Sequence, residues 1–202
     1  MAKDNTVQVL LGVSDFCVSK KVENSRTRFQ TEAGVILPSI QSVDSPSFTR
    51  KEMKVPGDNR IIYNSSQVES ARQTVTFAYL SLEDLGLITG GKWTEQTKQL
   101  VESDLDEAPE FATSYIADLS EGRKRLYQYF CSKVVEVSQT IQGRVDNTDG
   151  APIAVTFEHI PIQYNGDIRR MKDYPKDDMS YKAEQTQAYT LPETPEGGGE
   201  GA

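Results

Sequence analysis

Apolar and polar residues alternate over much of this chain. Val75, Phe77 and Tyr79 interleave with Thr74, Thr76 and Ala78, the period of two that turns one face of a strand to a core and the other to solvent. Phe111, Thr113, Tyr115, Ala117 and Leu119 repeat the pattern up to Glu121-Gly122. A longer segment over residues 126–141 is rich in β-branched and aromatic residues, with Tyr127-Gln128-Tyr129-Phe130-Cys131 followed by Val134-Val135-Glu136-Val137. Asp146-Asn147-Thr148-Asp149-Gly150 predicts a turn, and residues 153–164 the strand beyond it. In that strand the apolar parity changes between Phe157 and Ile160, which predicts a bulge around Glu158-His159. Residues 7–13 and 16–19, parted by Ser14-Asp15, predict one kinked strand or a hairpin.

Helix signals are few. Ser81 followed by Asp84 has the form of a capping box, and Leu82, Leu85 and Ile88 then share a face. Residues 94–101 allow a further turn or two of helix. Residues 41–61 mix Ser, Pro and charged residues with scattered apolar ones, and predict an extended loop or arm, a length that a compact domain rarely carries without a use. Residues 165–182 are also polar and mixed in charge. The end of the chain, residues 192–202, has no apolar pattern and predicts a disordered tail. The fold class is therefore mainly β: an antiparallel β-sandwich or half-barrel over residues 1–191, with one short flanking α-helix and a long loop or arm.

Composition narrows the function more by exclusion than by signature. In 202 residues there are 30 acids against 22 bases, a formal net charge of −8, which argues against a groove built to neutralise phosphates. No apolar run is long enough to span a membrane, and the opening residues lack the apolar stretch of a signal peptide. Cys17 and Cys131, far apart, fit a reduced chain without a disulfide framework. The single histidine, His159, shares the parity of Val155 and Phe157 and predicts a packed or interface side chain. It has neither the ligand neighbours of a zinc site nor a GxSxG elbow. Gly90-Gly91-Lys92 lacks the remainder of a phosphate loop. Asp104/Asp106 and Asp177/Asp178 do not match a calcium-loop spacing. No enzyme activity, metal or cofactor is expected. Acids do collect unevenly: Glu95, Glu102, Asp104, Asp106, Glu107, Glu110, Asp118 and Glu121 stand against Lys98 alone, the composition of a solvated face.

The order of these features resembles the major tail proteins that build the tail tube of long-tailed bacteriophages. The resemblance runs over most of residues 7–190. It begins with Gly12-Val13-Ser14-Asp15-Phe16-Cys17-Val18-Ser19 and the mid-chain loop from Pro46-Ser47-Phe48 to Pro56-Gly57-Asp58-Asn59. The passage Gln73-Thr74-Val75-Thr76-Phe77-Ala78-Tyr79-Leu80-Ser81-Leu82-Glu83-Asp84-Leu85 follows. Then come Ala108-Pro109-Glu110-Phe111, the Tyr/Phe-rich Leu126-Tyr127-Gln128-Tyr129-Phe130 and Ile153-Ala154-Val155-Thr156-Phe157.

The resemblance implies a β-sandwich whose copies form homohexameric rings, stacked into a tube through which double-stranded DNA is ejected without specific binding. It also implies tape measure and tail terminator proteins as partners, no membrane, a place in the virion tail and synthesis in the host cytoplasm. Within it, residues 41–61 become an arm between rings, with Phe48, Arg50, Lys51, Met53 and Val55 as candidate contacts. Glu102, Asp104, Asp106, Glu107 and Glu110 become an acidic lumen or interface, and Arg123, Lys124 and Arg125 a basic interface. The alternative is another virion β-sandwich binding module, an adhesin or a carbohydrate-binding domain, although Trp93 is the only tryptophan available for a sugar platform.

Overall fold

The computed structural model describes residues 8–57, 60–139 and 151–192, with the backbone alone between 55 and 64. The turn expected at 146–150 and the tail from 193 onward lie outside the described residues. In chain order the elements are β1 (Leu10–Asn24), β2 (Phe29–Thr31), β3 (Val35–Leu37), β4 (Ile40–Val43), β5 (Ser47–Gly57), β6 (Arg60–Phe77) and α1 (Leu82–Thr89). They continue with β7 (Lys92–Thr94), β8 (Gln99–Val101), β9 (Glu110–Leu119), β10 (Lys124–Gln139), β11 (Ile153–Ile160), β12 (Arg169–Tyr174), α2 (Ser180–Thr186) and β13 (Thr190–Leu191).

Eleven strands form one antiparallel sheet along the path β13-β2-β1-β9-β10-β11-β6-β4, and β7 and β8 form a separate hairpin. The sheet rolls up. β3 and β4 are one extended run broken at Pro38-Ser39, where Ser39 takes φ 64°. The first half pairs with β1 (Phe16↔Leu37) and the second with β6 (Ile40↔Phe77), so the two flanks of the sheet are brought together. Inside the roll, Phe16 meets Phe77 edge-on at 5.5 Å and Phe157 at 5.3 Å, and Val75, Phe111, Val155 and Leu37 close around them. Each such side chain contributes about 1.5–3 kcal/mol through removal from water. α1 lays Leu85, Leu87 and Ile88 on this core. Its capping box is formed: the Asp84 amide donates to Ser81 Oγ at 3.0 Å, and the Ser81 amide donates to the Asp84 carboxylate at 3.2 Å.

Smaller clusters cover the outside of the roll. Phe29, Phe130, Cys131, Ile162 and Tyr189 form one, and Ile116, Leu126, Tyr174 and Tyr181 another. The second lies under α2, which Glu184 ties to β12: its carboxylate accepts from Arg170 Nη2 and Lys172 Nζ, both at 2.6 Å, and from the Tyr174 hydroxyl.

Four local expectations change. Residues 41–61 are not loop but mostly strand: β5 and β6 pair from Ser47↔Arg72 out to Gly57↔Arg60. Their residues lack alternation because neither face is buried from Arg50 to Lys54. Residues 94–101 are not helical; β7 and β8 pair Trp93↔Leu100 across a turn with Lys98 at φ 51°. β11 has no bulge at Glu158-His159, since Lys133↔Glu158 and Ser132↔His159 pair in register. The parity change arises because the strand ends at Ile160, which turns outward; the irregularity sits opposite, in β10 between Val134 and Glu136. A second helix, α2, joins the one expected. At the N-terminus the kinked strand is realised: β1 is continuous, with Asp15 at φ 52° and a register shift between Ser14 and Cys17.

Candidate assembly surfaces

Three surfaces stand out, and β10 fixes where they lie. β10 starts at Lys124 beside Asp118 and finishes at Gln139 beside Ile153, which in turn pairs with Phe77 of β6. β6 runs parallel to β10 through β11. Its Phe77 end and its Arg60 end therefore point to opposite ends of the roll.

The first surface is a two-stranded arm at the Arg60 end. β11 accompanies β6 only from Ala71 to Phe77. Among the described residues, β6 below Ala71 has β5 as its sole ladder partner, and β5 has only β6. From Arg50 to Gly57 this ribbon spans about 25 Å at about 3.3 Å per residue. Arg50, Lys51, Glu52, Met53 and Lys54 are all exposed, and Lys54 pairs with Glu52 at 2.6 Å. Charged residues along an open edge discourage indiscriminate pairing. Phe48 lies at the root of the arm, where the Arg169 guanidinium stacks over its ring at 4.9 Å. Of the five expected arm contacts, Arg50, Lys51 and Met53 are on the arm and Phe48 at its base; Val55 is described by its backbone alone.

The second surface is an acidic loop at the other end, between β8 and β9. Glu102, Asp104 and Glu107 are exposed and Asp106 is half-buried. The loop is ordered by its own serine: the Ser103 amide donates to the Asp106 carboxylate at 2.7 Å, and the Leu105 amide donates to Ser103 Oγ at 3.2 Å. Its tip is Leu105, 85% exposed. The loop packs against the end of α1, where Gly90 takes φ 86° beneath the Glu107 carbonyl. Glu110 does not join this group. It forms an ion pair with Lys21 of β1 and accepts from the Cys131 thiol at 3.4 Å. Burial works to raise its pKa, but the Lys21 bond and charge, with the Cys131 bond, outweigh it and hold the carboxyl below the usual range. Burial in turn pushes the Cys131 thiol up to about 12, so it is not a nucleophile.

The third surface is a groove of about 510 Å³ at the arm's end of the roll. Its lining includes Leu10, Leu11 and Val13 of β1, Tyr115 of β9, Tyr127 of β10 and Met171 of β12, with Arg169 at its edge. Tyr115 and Tyr127 stack at 4.8 Å on one side of it. Residues 41–46, from β4 and the turn after it, complete the wall. Sequence reasoning missed this groove, which is assembled from five strands distant in the chain.

The basic triplet is split. Lys124 pairs with Asp118 across the β9–β10 ladder, and Arg125 holds Asp173 of β12 with two bonds, at 2.5 and 2.9 Å. The Arg125 bond lowers the pKa of Asp173, and the Asp118 bond raises that of Lys124. Arg123 precedes β10 and is half-buried. Lys124 and Arg125 point to opposite faces, as adjacent strand residues must, and both already have carboxylate partners within the chain.

Among the described residues His159 and Ser132 have the form of a base and a nucleophile, sharing a hydrogen bond of 2.7 Å. His159 is 1% exposed and Ser132 fully enclosed, so no substrate reaches them. Among the described residues no group of three His, Cys, Asp or Glu side chains is placed to hold a metal. No helix among the described residues is long and apolar enough to cross a membrane.

No protein-family model and no curated protein matches the chain. Among solved structures, it is similar to the tube-terminating cap of the anti-feeding prophage, with a TM-score of 0.42 and 10% identity over 86% of this chain and 100% of that one. It is also similar to a chain of the PVC sheath/tube terminator in the extended state of an extracellular contractile injection system, at 0.40 and 13% over 83% and 99%. A chain of the PVC sheath-tube complex in the same state gives 0.37 and 14% over 79% and 89%.

Proposed function

We propose that this protein is a structural subunit of a phage-type tail tube. Copies join into hexameric rings, rings stack, and double-stranded DNA passes through the tube into the host without specific binding. Tape measure and tail terminator proteins complete the tube, in a virion tail assembled from subunits made in the host cytoplasm.

The observation that carries this reading is the arm. A two-stranded ribbon with no third strand among the described residues, and with Arg50 to Lys54 all exposed, is marginal in water. Its exposed Met53 and open edges gain from a surface supplied by another molecule, and in a repeating assembly that molecule is a second copy. The ribbon's ordering cost is then met on docking. An enzyme reading lacks an accessible site among the described residues. The carbohydrate-binding alternative lacks its platform, since Trp93 is half-buried with its indole N–H enclosed.

The test is negative-stain imaging and light scattering of concentrated protein, beside a variant in which residues 50–69 are replaced by Asn-Gly. Thr49 pairs with Ser70, so a two-residue turn closes the shortened hairpin. Wild type is expected to form rings or tubes, and the shortened chain to remain a folded monomer. A wild type that stays monomeric at every concentration overturns the reading, and normal tubes from the shortened chain remove the arm from it.

A further inference from the structure

We infer that the groove at the arm's end of the roll is the seat of the acidic loop of a second copy, with Leu105 as the plug and Arg169 as the anchor for the loop's carboxylates. The inference rests on the proposed stacking and names the surfaces that meet in it. The two surfaces lie at opposite ends of one molecule, because α1 and the chain leading to β9 leave from the Phe77 end of β6, whereas the groove is built at the Lys124 end of β10. A copy cannot fill its own groove. Two unlike surfaces on opposite poles make a heterologous, head-to-tail contact, which propagates as an open stack.

The chemistry of the two surfaces is complementary. The groove exposes apolar side chains that a lone chain gains nothing by exposing: Leu11 is 68% and Leu10 61% accessible, and Met171 stands half out. The loop offers one apolar group, Leu105, at its tip, flanked by Asp104 and Asp106. Among the described residues Arg169 has no carboxylate partner; its guanidinium is held over Phe48 and its charge is left to an incoming anion. Glu102, Asp104, Asp106 and Glu107 likewise have no cationic partner among the described residues. The neighbouring arm adds Arg50 and Lys51 to the positive side. An apolar plug ringed by acids thus faces a groove that is apolar along Leu10, Leu11, Val13 and Met171 and polar along residues 41–46, where Asp44 is its one acid and Arg169 its one base. The loop's carboxylates engage Arg169 and the arm cations, and this pairing selects the loop over an uncharged apolar segment.

The test uses the full chain with Leu11→Cys and Leu105→Cys combined. Cys17 and Cys131 are buried and do not compete for an oxidant. Under mild diamide oxidation the assembled double variant is expected to give a ladder of disulfide-linked multimers, and either single variant to give none. Assembled protein without the ladder overturns this inference and leaves the stacking intact. Failure of wild type to assemble overturns both. As a second arm, Leu105→Asp, at a position too exposed to affect folding, is expected to lower the assembled fraction about tenfold through loss of one buried side chain; assembly at the wild-type level also overturns the inference.

Discussion

The imidazole of His159 lies flat on the ring of Tyr129, centroids 3.9 Å apart and planes 19° from parallel. Its Nδ1 meets Ser132 Oγ at 2.7 Å, and Ser132 in turn meets Thr113 Oγ1 at 3.0 Å. This stack holds β10 to β11 where the roll passes from its inner core to its outer cluster. Burial, and then the charge of Arg169, push the imidazole down to about 3 from an ordinary 6.5. Between those values the unfolded chain binds a proton that the folded chain refuses. The neutral histidine's contribution is therefore complete above about pH 6.5 and is lost as pH falls toward 3. We expect unfolding free energy to drop by about 2 kcal/mol from this group between pH 7.5 and 5. His159→Phe, which keeps a ring on Tyr129, flattens that dependence in urea titrations. Parallel pH curves for variant and wild type refute the account.

The core prediction follows from Phe16, which follows the kink of β1 and touches both Phe77 and Phe157. It is buried at 1% exposure, and the roll closes around it. Phe16→Ala is expected to cost about 3–5 kcal/mol in chemical denaturation. A loss below 1 kcal/mol means that the roll collapses onto the gap.

How much of this was legible depends on which faces are buried. β9 and β11 announce themselves because Phe111, Val155 and Phe157 are buried between partly exposed neighbours, whereas Tyr115 lies between the equally buried Ser114 and Ile116; parity alone places His159 inside. The arm did not, because alternation records a buried face and Arg50 to Lys54 have none. α2 was missed because it turns inward only Tyr181 and Gln185, a glutamine whose amide reaches the Asp15 carbonyl of β1. The acid-rich loop was visible as charge. The separation of Glu110 from it was not, since its partner Lys21 comes from a strand 89 residues away. The groove has no sequence signature at all, being a product of the roll.

Gly90 joins the end of α1 to the acidic loop. At φ 86° it occupies left-handed space, and an added Cβ falls 2.4 Å from the Glu107 carbonyl oxygen. The backbone conformation alone costs alanine about 1–2 kcal/mol, and the clash is with main chain that cannot rotate away. Gly90→Ala is expected to lower the Tm and to speed amide exchange in residues 102–107 more than elsewhere. Uniform exchange across the chain contradicts the coupling between helix end and loop.

Arg125 and Asp173 join β10 to β12 on the surface, both about a third exposed. Solvent screens such a pair, so Arg125→Ala is expected to cost under about 1 kcal/mol despite its two bonds. Its role is register, with Leu126↔Lys172 pairing beside it. Arg125→Asp with Asp173→Arg should regain most of whatever Arg125→Asp loses. A loss of several kcal/mol from the alanine variant points to a burial that the isolated chain does not have.

The final prediction concerns DNA. If stacking pairs the acidic loops with Arg169 and the arm cations, those bases are consumed in the tube, and the chain's net charge of −8 remains. Lys124 and Arg125 are already engaged with Asp118 and Asp173. A duplex inside such a tube meets a surface that repels its phosphates and releases few counterions, so it slides rather than sticks. Assembled protein is expected to give no gel shift with duplex DNA at about 20 mM salt, where screening is weakest. Free monomer with its arm exposed is expected to bind only weakly and with steep salt dependence. Tight, salt-sensitive binding by the assembled form overturns the repulsive conduit and returns Arg123, Arg169 and the arm to the role of phosphate contacts.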